Sequence, residues 1–198
     1  MKTRPRLVVG ISGATGAIYG IRLLEHLRAR GDVETHLVVS RWAEETIRLE
    51  TEYTLEQVRG LADVSYGADD VAAAISSGSF RTAGMVVLPC SMKTVSAIAN
   101  GYGHDLLTRA ADVTLKERRP LVLSPRETPL SAIHLENMLK LSRMGVQIVP
   151  PMPSFYHRPK EIEDLIHYQV LRVLDQLELY EEDERRWAPP AGERESGE

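Results

Sequence analysis

Residues 7–16 read LVVGISGATG, and residues 17–28 continue as AIYGIRLLEHLR. The first stretch is a short aliphatic run that breaks into a glycine-rich turn. The second sets Ile18, Ile21, Leu24 and Leu27 near one face of a helix. Further aliphatic runs at Thr35–Val39, Met85–Leu88, Leu121–Leu123 and Val146–Val149 alternate with helix-period segments, among them Ser131–Arg143 and Pro159–Leu179. Parallel strands need crossovers, and amphipathic crossover helices must bury their apolar stripes, so this alternation predicts an α/β protein with a mostly parallel sheet covered by helices.

Local signals add boundaries. Thr54 with Gln57 makes a capping box, Asp69 or Asp70 caps a helix over Val71–Ile75, and Pro159 suits a first helical turn. Gly31, Gly101 and Gly145 mark helix stops. The chain of 198 residues predicts one domain over residues 1–180 and a charged, flexible tail over 181–198. That tail holds seven acids against Arg185, Arg186 and Arg194, which accounts for the whole net charge of −4 and leaves the body nearly neutral. A neutral body offers no basic field for nucleic acid or anionic membranes, and no stretch approaches the ~20 apolar residues of a membrane span. Cys90 is the only cysteine, so no intrachain disulfide or CxxC pair exists, and a cytoplasmic, reducing compartment fits.

In an open parallel sheet, ligands bind beyond the carboxyl ends of the strands, so those ends carry the chemistry. After the first strand, Gly13, Ala14, Thr15 and Gly16 precede a helix whose N-terminus favours an anion; a tight turn that merely packs would read the same way. The second strand ends in Ser40 and Arg41 rather than the acid that would hold an NAD ribose, a pair that NADP would still tolerate. The strand at Met85–Leu88 runs into Pro89, Cys90, Ser91, Met92, Lys93 and Thr94, placing hydroxyls and an ammonium at another helix start. The next delivers Arg126, suited to a phosphate, beside Glu127, suited to proton transfer. Arg109 and Lys116, two turns apart, share a helix face, either as a binding set or as a solvated surface. The segment VPPMPSFYHRP, residues 149–159, carries Tyr156, and Arg172 follows on the last helix. Cys90 has no neighbouring base and reads as a small core residue, and the six histidines show no metal-ligand spacing.

GISGATGAIYG, ETHLVVSRWA, LETEYT, VVLPCSMKT, LLTRAADVTLKERRPLVLSPRETPLS, HLENMLKLSRMG and PSFYHRP, taken in order, closely resemble the UbiX-type flavin prenyltransferase family over roughly residues 6–187. The resemblance implies a Rossmann or flavodoxin-like α/β fold with helices on both faces of the sheet, assembled as a homododecamer with FMN at subunit interfaces. It implies transfer of the dimethylallyl group of dimethylallyl phosphate to N5 and C6 of reduced FMN without a metal, giving prenylated FMN for a UbiD-type decarboxylase in ubiquinone biosynthesis or aromatic acid decarboxylation. Gly13, Ala14, Thr15, Ser40, Ser91, Met92, Lys93, Thr94 and Arg126 match the family's FMN positions. Arg109, Lys116, Tyr156 and Arg172 match the substrate-phosphate positions, and Thr15, Glu50, Lys116 and Glu127 the catalytic ones. The family commonly carries serine where Thr15 stands. Two rival readings are an FMN-dependent cysteine decarboxylase, which the core-like Cys90 disfavours, and a non-catalytic flavin carrier.

Overall fold

The structure, a computed structural model, describes residues 4–183 and 186. Among these, β1 (Arg6–Ile11), β2 (Glu34–Val39), β3 (Val64–Tyr66), β4 (Gly84–Cys90), β5 (Leu121–Pro125) and β6 (Gln147–Ile148) form one parallel sheet in the order β3-β2-β1-β4-β5-β6. The chain builds outward from β1 in one direction, then returns to build outward in the other. The junction of β1 and β4 is therefore the topological switch point, where the two neighbouring loops diverge and leave a crevice.

The helices divide between the faces. One face carries α1 (Ala17–Arg30), α2 (Arg41–Glu50), α3 (Leu55–Arg59) and α7 (Ile162–Asp175); the other carries α4 (Met92–Ala99), α5 (Leu106–Lys116) and α6 (Ala132–Arg143). Strand alternation feeds both cores: Leu7, Val9 and Ile11 pack with Leu24, Leu27, Val170 and Leu174, while Val8 packs with Leu107 and Leu121. Each such fully buried aliphatic side chain contributes about 1.5–3 kcal/mol. β4 is buried along its whole length, as a central strand covered on both sides must be. Its pairing with β5 shifts register between Val87 and Cys90, re-aiming the strand just before Ser91. No helix among the described residues is long and apolar enough to cross a membrane.

Three local expectations change. Val71–Ala73 forms turns rather than a helix, and only Ala74–Ser76 makes a single 3-10 turn, because Ala73 N–H bonds back to Asp70 and Ser76 N–H to Ala73. Pro159 lies outside α7, which starts after Glu161 with Asp164 completing the cap. Val64–Tyr66, unmarked in the sequence reading, joins the sheet as an edge strand beside β2. Of the acidic tail, Glu181 lies 2.9 Å from His26 Nε2 and Asp183 lies 3.0 Å from His167 Nε2. The rest of the expected tail, apart from Glu182 and Arg186, lies outside the described residues.

Candidate functional site

Four strand-end loops are stitched together at the carboxyl rim. The buried Ser12 hydroxyl donates to Pro89 O at 3.1 Å and accepts from Ser91 N–H at 2.7 Å, tying the β1 turn to the β4 turn across the switch point. Ser40 N–H donates to Ile11 O at 2.9 Å, bringing in β2, and Arg126 N–H donates to Cys90 O at 3.0 Å, bringing in β5. Gly16 has φ of 95°, the left-handed region that favours glycine, so α1 begins without a side-chain cap of its own. Glu50, the last residue of α2, fills that role: its Oε2 accepts from Gly16 N–H at 2.7 Å and Ala17 N–H at 3.3 Å.

These ties enclose a cleft of about 350 Å³ lined by Gly13, Ser40, Ser91, Lys93 and Thr94, together with Arg41, Trp42, Ala68, Asp69, His104 and Asp105. Three of the lining residues are helix N-caps: Ser40 for α2, Ser91 for α4 and Asp105 for α5. Three positive helix ends therefore converge on one space, with the Lys93 ammonium beside them. The Asp105 carboxylate accepts from Thr108 N–H at 2.8 Å and offsets its own helix end. The Ser40 and Ser91 ends carry neutral hydroxyl caps, so their field still favours an anion. Ser91 Oγ and Thr94 Oγ1 are 3.0 Å apart. Gly13 is small by necessity, since an added Cβ would lie 2.4 Å from Trp42 Cβ.

The other candidates divide. Ala14 and Thr15 occupy the β1 turn, with Thr15 exposed; the exposed Arg126 and Glu127 follow β5 on the same rim. Burial pushes the Tyr19 phenol above its ordinary pKa, opposed by the positive charge of Arg126, which places Arg126 within electrostatic reach of α1. The Met92 side chain is buried in the core around α4, leaving its backbone toward the rim. Arg109 and Lys116 share one side of α5, against the segment around residues 76–78: Arg109 Nε donates to Ser76 O at 3.3 Å, and Lys116 Nζ lies near Gly78. α5 starts at the cleft, so Lys116 stands about 16 Å further along its axis. Tyr156 and Arg172 belong to the opposite face of the sheet, where Tyr156 hydrogen-bonds Tyr168 on α7. Within one chain, Arg109 stands one turn from the cleft residue Asp105, whereas Lys116 and Arg172 lie on helices covering opposite faces of the sheet.

A family model described as Flavoprotein matches residues 1–173. Flavin prenyltransferase UbiX of Escherichia coli strain K12 is 59% identical over 174 residues, covering 88% of this chain and 92% of that protein. The chain belongs to the UbiX-type flavin prenyltransferase family. Among solved structures, a dodecameric FMN-dependent UbiX-like decarboxylase from Escherichia coli O157:H7 aligns with TM-score 0.90 at 59% identity, covering 92% of this chain and 99% of that one. AnUbiX in complex with FMN and dimethylallyl pyrophosphate aligns with TM-score 0.89 at 54% identity, covering 94% of this chain and 98% of that one.

Trp42, Asp69, His104 and Asp105 also line the cleft; Trp42 lies in the quoted ETHLVVSRWA segment and Asp69 reads from the sequence only as a cap, whereas His104 and Asp105 belong to no strand-end motif. One signal was present: Asp105 with Thr108 forms a capping box at the start of α5, and a helix start is a rim position in this fold. Cys90 is fully buried at the end of β4, and burial pushes its thiol far above the usual range, so it remains a protonated core residue rather than a nucleophile.

Proposed function

We propose that this chain is a cytoplasmic flavin prenyltransferase that joins the dimethylallyl group of dimethylallyl phosphate to reduced FMN and passes prenylated FMN to a UbiD-type decarboxylase. The observation that carries the reading is the rim cleft, where the Ser40 and Ser91 helix ends and Lys93 surround a space within the ~300–1,000 Å³ range of ligand pockets. That donor set fits a flavin phosphate: backbone N–H groups, hydroxyls and one ammonium, at a switch point that flavin-type ligands favour.

Gly13, Ala14, Thr15, Ser40, Ser91, Met92, Lys93, Thr94 and Arg126 hold FMN in this reading, Met92 through its backbone. Reduced FMN supplies N5 and C6 as the atoms that accept the prenyl group. Thr15 orients the reacting edge of the ring through its hydroxyl. Glu50 holds the start of α1 and so the turn that carries Thr15. Ring closure releases a proton, which the departed phosphate accepts with the help of Glu127, exposed on the same rim. Arg109, Lys116, Tyr156 and Arg172 hold the phosphate as it departs, and the positive charge of the two arginines and the lysine replaces the metal that other prenyl transfers use.

Lys116 and Arg172 lie on opposite faces of the sheet in one chain, so one phosphate meets both only where chains adjoin. This fits assembly as a homododecamer with the site shared between subunits. The test is anaerobic incubation of the protein with reduced FMN and dimethylallyl phosphate, with and without a chelator, followed by the mass of the extracted flavin. A gain of one isoprene unit in both arms is expected. Unmodified flavin would leave a carrier role, and product only without the chelator would restore a metal to the reaction.

A further inference from the structure

Arg172 is not an isolated cation. Its Nη1 donates to Asp175 Oδ2 at 2.6 Å, one turn along α7. The same carboxylate is gripped by Arg186, whose Nη1 donates to Oδ2 at 2.9 Å and Nη2 to Oδ1 at 2.8 Å. Arg186 is itself fixed: its Nε donates to Glu181 O at 2.8 Å, and its guanidinium carbon sits 4.3 Å from the centre of the Tyr180 ring. The side chains of Asp175 and Arg186 are 12% and 18% exposed, whereas that of Arg172 is 46% exposed. The inner pair is the forked, stacked one, and the outer arginine faces solvent.

A carboxylate paired with Arg172 alone would neutralise it and compete with any incoming phosphate. With Arg186 holding both oxygens, the trio carries one net positive charge, and Arg172 is aimed by Asp175 without being cancelled by it. Arginine, unlike lysine, matches both oxygens of a carboxylate and stacks on an aromatic ring at once, which is the geometry at Arg186. We propose that Arg186 is a positioning residue for the substrate phosphate: acting through Asp175, it keeps Arg172 oriented and its charge available. The inference rests on the reading of Arg172 as a phosphate-binding residue. It gives Arg186, in the charged segment after α7, a part in substrate capture.

The test uses the full-length chain, reduced FMN at saturation and varied dimethylallyl phosphate. Arg186→Ala is expected to raise KM for dimethylallyl phosphate about three- to fivefold, the upper range of one partly exposed charge interaction, with kcat and FMN affinity unchanged. Adding Asp175→Asn to that variant removes the carboxylate that would otherwise quench Arg172, so KM is expected to fall back to within about twofold of the parent. A structural tether for the end of the chain would not produce that recovery. Arg172→Ala serves as the reference. If it raises KM while Arg186→Ala does not, the inference is wrong and the reading of Arg172 stands; if Arg172→Ala leaves KM unchanged, that reading fails and the inference with it. A raised KM that Asp175→Asn does not correct also overturns the charge argument. Should Arg186→Ala not assemble, Arg186→Gln keeps length and hydrogen bonding without the charge, and an unchanged KM there has the same meaning.

Discussion

Glu50 Oε2 accepts the Gly16 backbone N–H at 2.7 Å, so the end of α2 caps the start of α1. The contact couples a charged side chain to the turn that carries Thr15, with a negative charge at a positive helix end. Replacing Glu50 by alanine should cost about 0.5–2 kcal/mol of stability, the usual value of an N-cap, and Glu50→Gln less. Denaturant midpoints of the two variants check this; equal midpoints for parent and Glu50→Ala would remove the capping role.

Gly13→Ala should act on the cleft more than on the core. The new Cβ would stand 2.4 Å from Trp42 Cβ and 3.1 Å from the Trp42 carbonyl carbon, so the start of α2 must move away from the β1 turn. Overpacking of this kind costs about 1–3 kcal/mol, and the displaced element lines the cleft. FMN affinity, followed by quenching of flavin fluorescence, is expected to fall at least about tenfold.

Glu127 sits exposed beside Arg126, and its Oε1 accepts from Thr128 N–H at 3.1 Å. Under the proposed part for Glu127 in the ring-closure proton transfer, Glu127→Gln should lower turnover on the order of 10²-fold with FMN affinity unchanged. Single-turnover rates measure it, and parent-like turnover would take Glu127 out of the mechanism.

His36 gives the fold a pH dependence of known sign. Burial depresses its pKa, partly offset by its hydrogen bond to Glu34 at 3.0 Å, so the unfolded chain takes up a proton that the native chain resists. This contribution to stability is complete above the unfolded value of about 6.5 and is lost as pH falls from there toward the depressed native value. His36→Gln should flatten the change in urea midpoint across that window, and an equally steep change in the variant would refute the assignment.

The sheet is largely legible because β1, β4 and β5 contain continuous aliphatic runs and β2 ends in one at Leu37–Val39, and a buried parallel strand needs just that. β3 was not, since Val64, Ser65 and Tyr66 form a three-residue edge strand that gains its identity from pairing with β2. Val71–Ala73 departs from the expected helix because local turns capture the residues after Asp70 and Val71 is itself a weak helix former. At the site, Gly13, Ser40, Ser91, Lys93 and Thr94 were legible from their place after strands. Trp42, Asp69 and His104 reach the cleft through tertiary packing, and the pairing of Arg186 with Asp175 has no sequence signal at all. The separation of Lys116 from Arg172 by the whole sheet was likewise invisible until the helices were assigned to faces.

In the proposed assembly the rim of one chain and the α7 cluster of another make one site. Arg126→Ala and Arg172→Ala assemblies, each made alone, should form little prenylated FMN. Dissociated and reassembled together, they should regain product, because some sites then combine an intact Arg126 from one chain with an intact Arg172 from another. Mixed assemblies of parent size that stay as inactive as either variant alone would contradict it.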